Sequence, residues 1–268
     1  MTPTIENLAY SRFSRKVLSL TGIDLNRYKS TQMERRLQTM MKRVGVEGYV
    51  QYEALLDRDP RAIKELKDFI TINVSEFLRN PEKFEELKTA ILPGLLKVRS
   101  PLKIWSAGCS NGAEPYSVSI LLDEIDPLGH HRILATDLDE EILKVARAGL
   151  YGERDLKNVD ERRRARYFRR AGDLWQVNPA VRLRLKFESQ NLLTDKFPGD
   201  LDLIMCRNVV IYFTEETKDD LYRRFHQALR PGGVLFVGGT ESILKAREIG
   251  FETVSPFFYR KLPGLGGS

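Results

Sequence analysis

The chain has 268 residues, of which 42% are hydrophobic and 30% are charged, and its formal net charge is +6. This composition excludes a mainly disordered chain, and no segment approaches the roughly 20 uninterrupted apolar residues that a membrane-spanning helix needs. The N-terminal residues lack the basic and then apolar layout of a signal peptide, so we expect a cytoplasmic protein without direct membrane insertion. Two cysteines are too few for a disulfide framework, and the three histidines show no metal-ligand spacing, so we expect no metal site.

The positive charge is concentrated near the N-terminus. Residues 1–43 hold nine basic and three acidic side chains, whereas residues 44–268 hold 34 of each. Such a segment can bind an acidic partner, either protein or nucleic acid, or it can be a well-solvated helix surface.

Residues 1–69 predict an all-helical domain. From Thr31 to Val44 apolar residues recur at helical spacing, and Thr31 with Glu34 predicts a capping box at the start of that helix. A second helix is predicted over about 60–69. The basic residues that fall largely off the apolar stripe of the first helix, and give it a cationic face, are Arg35, Arg36, Lys42 and Arg43.

After about residue 100, short apolar runs alternate with helical patterns. The runs at 103–106, 132–136, 201–206 and 233–237 predict strands, and the segments 116–125, 140–148 and 218–229 predict helices. This alternation is typical of βαβ units and a parallel sheet, which binds ligands at the carboxyl ends of its strands near the switch in strand order.

Residues 151–186 interrupt the alternation with eleven basic and five acidic side chains. They predict a helix, then a Gly-Asp turn and a small antiparallel excursion inserted into the sheet domain. The last residues, 263–268, predict a flexible tail, so the sheet domain is expected to span 70–262.

A glycine-rich segment, Gly108 to Gly112, follows the first predicted strand, and Pro115 lies just inside the next helix. Glycines allow the backbone to turn tightly and to approach a ligand closely. The segment is neither the dinucleotide fingerprint G-x-G-x-x-G nor a P-loop. By itself it is weak evidence, compatible with a nucleotide cradle or with a plain strand-to-helix turn.

Polar side chains follow three later strands. Asp137, after the second strand, is placed to accept hydrogen bonds from ribose hydroxyls, or it caps the next helix, a role that Asp139 could fill instead. No nearby arginine would receive a 2′-phosphate, which disfavours NADP but leaves NAD and S-adenosylmethionine open.

Two later strands also end in polar side chains. Asn191 could meet an adenine edge. Arg207 either pairs with an acidic neighbour or lines the cleft with Asn208 and Tyr212.

Three motifs together resemble the chemotaxis receptor methyltransferase (CheR) family over almost the whole chain: TINVSEFLR at 71–79, SAGCSNGAEPYS at 106–117 and CRNVVIYF at 206–213. The resemblance implies an α/β, Rossmann-like S-adenosylmethionine-dependent methyltransferase domain with a small antiparallel insert, preceded by an all-α domain. It also implies methyl transfer to glutamate side chains of chemotaxis receptors, which forms glutamyl methyl esters and leaves S-adenosylhomocysteine.

The resemblance further implies roles for individual residues. Glu114 would face the methionine end of the cofactor, Asp137 the ribose, and Asn191 with Leu192 the adenine. Arg79 and Tyr212 would act at the reacting end as the catalytic residues. The residues implied to bind the cofactor are Asn73, Ser75, Arg79, Gly108, Glu114, Asp137, Asn191, Leu192, Arg207 and Asn208.

Some positions depart from the family pattern. The motif at 106–117 has Ala113 in place of the first of two glutamates, and Leu78 stands where the family commonly has phenylalanine. The turn near residues 170–175 is short, which favours direct docking on the cytoplasmic methylation helices of a receptor over a tether to its tail. We expect a monomer that binds its receptor through Arg35, Arg36, Lys42 and Arg43 and does not bind nucleic acid.

Three other functions compete with this interpretation. A methyltransferase for RNA or a small molecule would use the basic segments to bind phosphates, but the sequence lacks RNA-binding motifs and interleaved aromatics. A non-catalytic scaffold could retain the fold, although Arg79, Glu114, Asp137 and Arg207 are intact. An NAD-dependent dehydrogenase is disfavoured because the dinucleotide fingerprint is missing.

Overall fold

The computed structural model describes residues 5–71 and 75–263, with side chains from residue 8 onward. The chain divides into two compact units: Met1–Ile72 with Tyr212–Lys218, and Asn73–Ile211 with Asp219–Ser268. We call them the helical unit and the sheet unit. Asn73, which was predicted to bind the cofactor, lies outside the described residues.

The helical unit is built on α1 (Ile5–Thr21), α2 (Ser30–Val44), α3 (Tyr49–Arg58) and α4 (Pro60–Ile70), with a 3-10 turn at Leu25–Arg27. Its core includes Phe13 of α1, which stacks on Tyr52 of α3 with ring centroids 5.3 Å apart. Leu37 of α2 and Leu66 of α4 are fully buried in the same unit. Both predicted helices are therefore confirmed.

The predicted capping box is wrong. Helix α2 begins at Ser30, after Lys29 in the N-cap position, and no side chain caps it. Thr31 is consequently inside the first turn and not in the N-cap position that a capping box requires. The helix ends at Gly45, whose φ of +74° gives the left-handed conformation common at helix C-termini.

The sheet unit contains a seven-stranded sheet with the strand order β6-β2-β1-β7-β8-β10-β9. Neighbouring strands are parallel from β6 to β8, whereas β10 is antiparallel to both β8 and β9. A second sheet has the order β3-β5-β4 and is antiparallel. The strands are β1 (Lys103–Ala107), β2 (Arg132–Asp137), β3 (Leu150–Tyr151), β4 (Phe168–Ala171), β5 (Leu174–Val177), β6 (Leu185–Ser189), β7 (Leu201–Cys206), β8 (Leu229–Val237), β9 (Phe251–Ser255) and β10 (Phe258–Lys261).

Two helices precede β1: α5 (Pro81–Glu86) and α6 (Leu92–Leu96). Most of the later strands are linked by helices: α7 (Ala113–Ile125), α8 (Glu140–Ala148), α9 (Glu161–Tyr167), α10 (Pro179–Arg182), α11 (Glu215–Ala228) and α12 (Ala246–Ile249). Helix α7 is the most enclosed of them, since every residue from Ala113 to Leu122 is buried. The predicted α/β architecture, with an all-α N-terminal part and a small antiparallel sheet, is confirmed.

The segment after the predicted Gly-Asp turn does not form one continuous antiparallel excursion. Only β5 pairs with the small sheet, α10 follows it, and β6 joins the parallel sheet beside β2. The hairpin between β4 and β5 turns over two residues, Gly172 and Asp173, so the connection is short as the sequence indicated.

Candidate functional site

The carboxyl ends of four parallel strands meet at the switch in strand order. Strand β1 has β2 on one side and β7 on the other, and β8 lies beyond β7. The register pairs Ala107 with Thr136, and Cys206 with Val237, so these strands end at the same edge of the sheet. Gly108, Arg207 and Asn208 lie in the loops that follow β1 and β7 at this edge. Glu114 is in the first turn of α7, and Asp137 is the last residue of β2.

The loop after β1, residues 108–112, is a tight turn that we call the glycine loop. Its Gly108 has φ +78°, and a Cβ there would lie 2.5 Å from Val209 Cγ2. Ser110 also has a positive φ, +49°, and Gly112, with φ +86°, is the N-cap of α7. The glycines are required here by backbone conformation and by close packing.

Asp137 holds the glycine loop against the end of β2. Its carboxylate accepts the Ser110 N–H at 2.8 Å on one oxygen and the Asp139 N–H at 3.0 Å on the other. Burial raises the pKa of Asp137, and these backbone N–H groups oppose the rise. Asp139 caps α8 by accepting from Glu141 and Ile142, so the cap that was an alternative role for Asp137 is filled by Asp139.

Glu114 and Arg207 form a buried ion pair behind the glycine loop. Glu114 Oε2 lies 3.4 Å from Arg207 Nη1, and Glu114 Oε1 accepts from the Ser106 hydroxyl at 2.8 Å. Burial raises the pKa of Glu114 and lowers that of Arg207, while each charge favours the ionised form of the other. The acidic partner that the sequence left open for Arg207 is Glu114.

Arg207 also fixes the turn that carries Arg79. Its Nη2 donates to the Arg79 carbonyl at 2.9 Å and to Asn80 Oδ1 at 2.8 Å. The guanidinium lies over the ring of Phe236, 4.6 Å from its centroid. Arg207 thus ties the end of β7 to the Arg79 turn, and its own side chain is only 2% exposed.

The segment before this turn is anchored on the sheet unit. The Leu78 N–H donates to Ser117 Oγ of α7 at 2.9 Å, and the Phe77 N–H donates to the Asp155 carbonyl at 3.0 Å. Ser75, at the start of the described segment, is half-buried, as is Arg79. Of the three predicted cofactor ligands in this motif, the structure therefore places Ser75 and Arg79.

A second buried carboxylate, Glu241, was missed by sequence reasoning. Its Oε2 accepts the N–H groups of Asn208 at 2.9 Å and Gly238 at 2.6 Å, so it joins the ends of β7 and β8. Asn208 has φ +60° at this junction. Burial raises the pKa of Glu241, and the backbone N–H groups that donate to its carboxylate oppose the rise. The one signal in the sequence was a carboxylate shortly after a predicted strand and two glycines, which marks Glu241 as a candidate at the sheet edge but does not reveal its contact to Asn208.

Asn191 and Leu192 lie at the end of β6, the neighbour of β2. The Gln190 N–H donates to the Asp137 carbonyl at 2.9 Å, which places the next residues near the Asp137 end of the edge. Asn191 Oδ1 accepts the Leu193 N–H, so that oxygen is used within its own loop. The Leu192 carbonyl accepts from Arg224, and its side chain is 9% exposed.

The motif at 206–213 is divided between the two units, because Tyr212 belongs to the helical unit. There the Lys29 N–H donates to the Tyr212 carbonyl at 2.9 Å, and the Tyr28 and Phe213 rings meet edge to face. The sequence predicted Tyr212 as part of the sheet domain and did not anticipate this division.

The predicted docking residues lie on α2 of the helical unit. Arg35, Lys42 and Arg43 are exposed. Arg36 is half-buried, since its guanidinium donates to the Phe69 carbonyl and lies over the Phe69 ring. The exposed cationic face is therefore carried by three of the four residues.

The side chains at the edge of the sheet unit fit S-adenosylmethionine. Asp137 is half-buried, and a carboxylate can accept several hydrogen bonds, so it can receive a ribose hydroxyl beside its backbone donors. The Glu114 carboxylate is already paired with Arg207, so its negative charge toward a cationic ligand is partly balanced. Within residues 5–71 and 75–263, no group of three or more His, Cys, Asp and Glu side chains is arranged to bind a metal ion. No helix in that same part of the chain is long and apolar enough to cross a membrane.

Comparison with known proteins identifies the family. Residues 8–71 match the model of the CheR methyltransferase all-alpha domain, and residues 73–256 match that of the CheR methyltransferase SAM binding domain. A chemotaxis protein methyltransferase of Listeria innocua is 40% identical over 97% of this chain and 100% of its own length. Chemotaxis protein methyltransferase 1 of Pseudomonas aeruginosa is 37% identical over 83% of this chain and 85% of its own.

A third relative, the chemotaxis protein methyltransferase of Borreliella burgdorferi, is 33% identical over 94% of this chain and 93% of its own length. These matches cover both units of the chain and 85–100% of the length of each relative. The chain therefore belongs to the CheR methyltransferase family and is an S-adenosylmethionine-dependent methyltransferase.

Proposed function

We propose that the enzyme methylates glutamate side chains of chemotaxis receptors and forms glutamyl methyl esters. The observation that carries this proposal is the match to proteins named chemotaxis protein methyltransferase, at 33–40% identity over 83–97% of the chain. The enzyme would act as a monomer in the cytoplasm, on the methylation helices of the receptor, without binding nucleic acid or entering the membrane.

The residues at the edge of the sheet unit would hold the cofactor. Asp137 would accept hydrogen bonds from the ribose, and Glu114 would face the positively charged methionine end. Asn191 and Leu192 would contact the adenine, with Gly108 allowing close approach of the backbone. The remaining ligands would be Asn73, Ser75, Arg79, Arg207 and Asn208. For Arg207 the buried contacts to Glu114 and the Arg79 turn support an indirect role, which is to keep those ligands in place.

The reaction needs positioning more than acid–base chemistry. When bound, the cofactor would supply an electrophilic methyl group to a glutamate oxygen and would leave as the thioether S-adenosylhomocysteine. A glutamate carboxylate is already ionised at neutral pH, so the enzyme needs no general base to activate it. Alignment and removal of water from the carboxylate would then supply most of the rate enhancement. Arg79 would orient that carboxylate and Tyr212 would hydrogen-bond near the methyl group.

The cationic face of α2 would guide the receptor to the enzyme. Receptor methylation helices carry many glutamates, so exposed arginine and lysine side chains attract them over several ångströms at low salt. Arg35, Lys42 and Arg43 are exposed on this face. Arg36 would contribute less, because its guanidinium already donates to the Phe69 carbonyl.

The test is incubation with methyl-labelled S-adenosylmethionine and receptor-containing membranes. We expect label in receptor protein that mild base releases as methanol, since carboxyl methyl esters hydrolyse under those conditions. Membranes without the receptor are the control. Label in RNA, base-stable label in protein, or no transfer at all would contradict the proposal.

A further inference from the structure

The carbonyl of Asn111 lies in the glycine loop and cannot receive the usual helical hydrogen bond from the residue four positions later. Helix α7 begins at Ala113, and the first carbonyl it uses is that of Gly112, which accepts the Tyr116 N–H at 3.1 Å. The residue four positions after Asn111 is Pro115, which has no N–H to donate. A carbonyl in this enclosed position needs a donor from elsewhere in the fold.

Tyr151 supplies that donor from the small antiparallel sheet. Its hydroxyl donates to the Asn111 carbonyl at 2.6 Å. Tyr151 is on β3, where it pairs with Trp175 of β5, and it is 2% exposed. Burial raises the pKa of Tyr151 well above its usual value, so the hydroxyl remains a donor throughout the physiological range.

Aromatic packing holds the Tyr151 ring in place. Phe77 meets it edge to face with ring centroids 4.7 Å apart, and Tyr116 does so at 6.2 Å. A Cβ added to Gly112 would lie 3.2 Å from the Tyr151 oxygen and 2.9 Å from Ala146 Cβ. The hydroxyl and the glycine therefore fit against each other, and the glycine loop has little room to change its conformation.

We propose that Tyr151 is a positioning residue for cofactor binding: its hydroxyl, supplied by the small sheet, fixes the Asn111 carbonyl and with it the glycine loop. The inference rests on the proposed placement of the cofactor at this loop and extends it, because it makes a residue of the inserted sheet a determinant of cofactor affinity. Tyr151 does not need to touch the cofactor for this role.

The test compares Tyr151→Phe with a matched control, Tyr116→Phe. Both variants lose one buried hydroxyl from the same aromatic cluster, but the Tyr116 hydroxyl donates to the Ala146 carbonyl of α8 at 3.0 Å and not to the glycine loop. Binding of S-adenosylhomocysteine is measured by calorimetry, and melting temperature is measured without ligand.

We expect Tyr151→Phe to raise the Kd for S-adenosylhomocysteine about tenfold, equivalent to about 1.4 kcal/mol. Tyr116→Phe should change it by less than about twofold, because its hydroxyl donates to the Ala146 carbonyl and not to the loop carbonyl. Both should lower the melting temperature similarly, by about 2–4 °C. Unchanged affinity in Tyr151→Phe, or an equal loss in Tyr116→Phe, would overturn the positioning role.

An Asp137→Asn variant separates this inference from the site on which it rests. If Asp137→Asn weakens binding and Tyr151→Phe does not, the role of Tyr151 alone is refuted. If neither weakens binding, the cofactor is not held at the glycine loop and both proposals fail. Failure to methylate a receptor would leave these binding measurements unchanged and would count only against the proposed substrate.

Discussion

Replacing Arg207 with methionine is expected to destabilise the sheet unit strongly. The Arg207 side chain is 2% exposed and donates to the Arg79 carbonyl, to Asn80 Oδ1 and to Glu114. Methionine fills much of the same space beside the Phe236 ring but carries neither the charge nor the donors. Glu114, whose side chain is 12% exposed, accepts from Arg207 and from the Ser106 hydroxyl. In the variant it would lose the first of these donors and keep the second.

The size of the loss follows from leaving a charge without its partner. Removing one member of a buried ion pair typically costs about 3–5 kcal/mol. Adding Glu114→Gln to Arg207→Met removes the uncompensated carboxylate, so the double variant should recover at least about 1 kcal/mol of that loss. A more exposed pair gives the matched control: Arg166 is 54% exposed and pairs with Asp123 at 2.9 Å, and Arg166→Met should cost no more than about 1 kcal/mol.

The loss should also depend on pH in a defined direction. Burial already raises the pKa of Glu114 in the folded chain, and removing the Arg207 cation raises it further. The folded state then holds a proton that the unfolded state releases, so stability falls as pH rises above the unfolded pKa of glutamate. The deficit of Arg207→Met against the unmodified chain should be smaller at pH 5 than at pH 8.

Urea unfolding followed by tryptophan fluorescence is a suitable assay. The chain has two tryptophans, Trp105 in β1 and Trp175 in β5, and both report on the sheet unit. Stability of Arg207→Met equal to that of the control, or a double variant less stable than Arg207→Met alone, would refute the reasoning.

The other predictions concern turnover, docking and the second buried carboxylate. Tyr212→Phe should lower kcat for methyl transfer without changing the Kd for S-adenosylhomocysteine, and unchanged kcat would remove Tyr212 from the reaction. Arg43→Glu should raise KM for receptor while Arg61→Glu, an equal charge change at an exposed residue of α4, should not; equal effects would mean that only net charge matters. Glu241→Ala should cost about 1–3 kcal/mol in urea unfolding because it leaves the Asn208 and Gly238 N–H groups without their acceptor, and Glu241→Gln should cost less because the amide oxygen can still accept. Equal losses in these two variants would contradict that role.

Much of the fold could be predicted because its periodicities are strong. Strand β7 is buried at every position and is apolar except for Asp202, a pattern typical of a central parallel strand. The predicted helix at 140–148 has the observed bounds, since Asp139 caps it and Gly149 follows it. The start of α2 was less predictable, because no side chain caps it and the capping-box pattern places the N-cap at Thr31, two residues after the observed N-cap, Lys29.

The site was only partly predictable because its key contacts join distant segments. Asp137 and the glycine loop follow consecutive strands, so the general rule for parallel sheets places them together. The Tyr151 contact to the glycine loop spans 40 residues and depends on how the small sheet packs. The contact between Glu241 and Asn208 spans 33 residues and depends on the pairing of β7 with β8. Sequence patterns alone do not reveal such contacts.

The proposed substrate is tested most directly by mass spectrometry of a receptor cytoplasmic fragment after incubation with the enzyme and S-adenosylmethionine. We expect some glutamate residues of the methylation helices to gain the mass of one methylene group, and mild base to remove it. Tyr212→Phe should give less of the modification in the same time. Methylation on another residue type, or an unmodified fragment under conditions where the enzyme binds the cofactor, would contradict the assignment of a receptor glutamate methyltransferase.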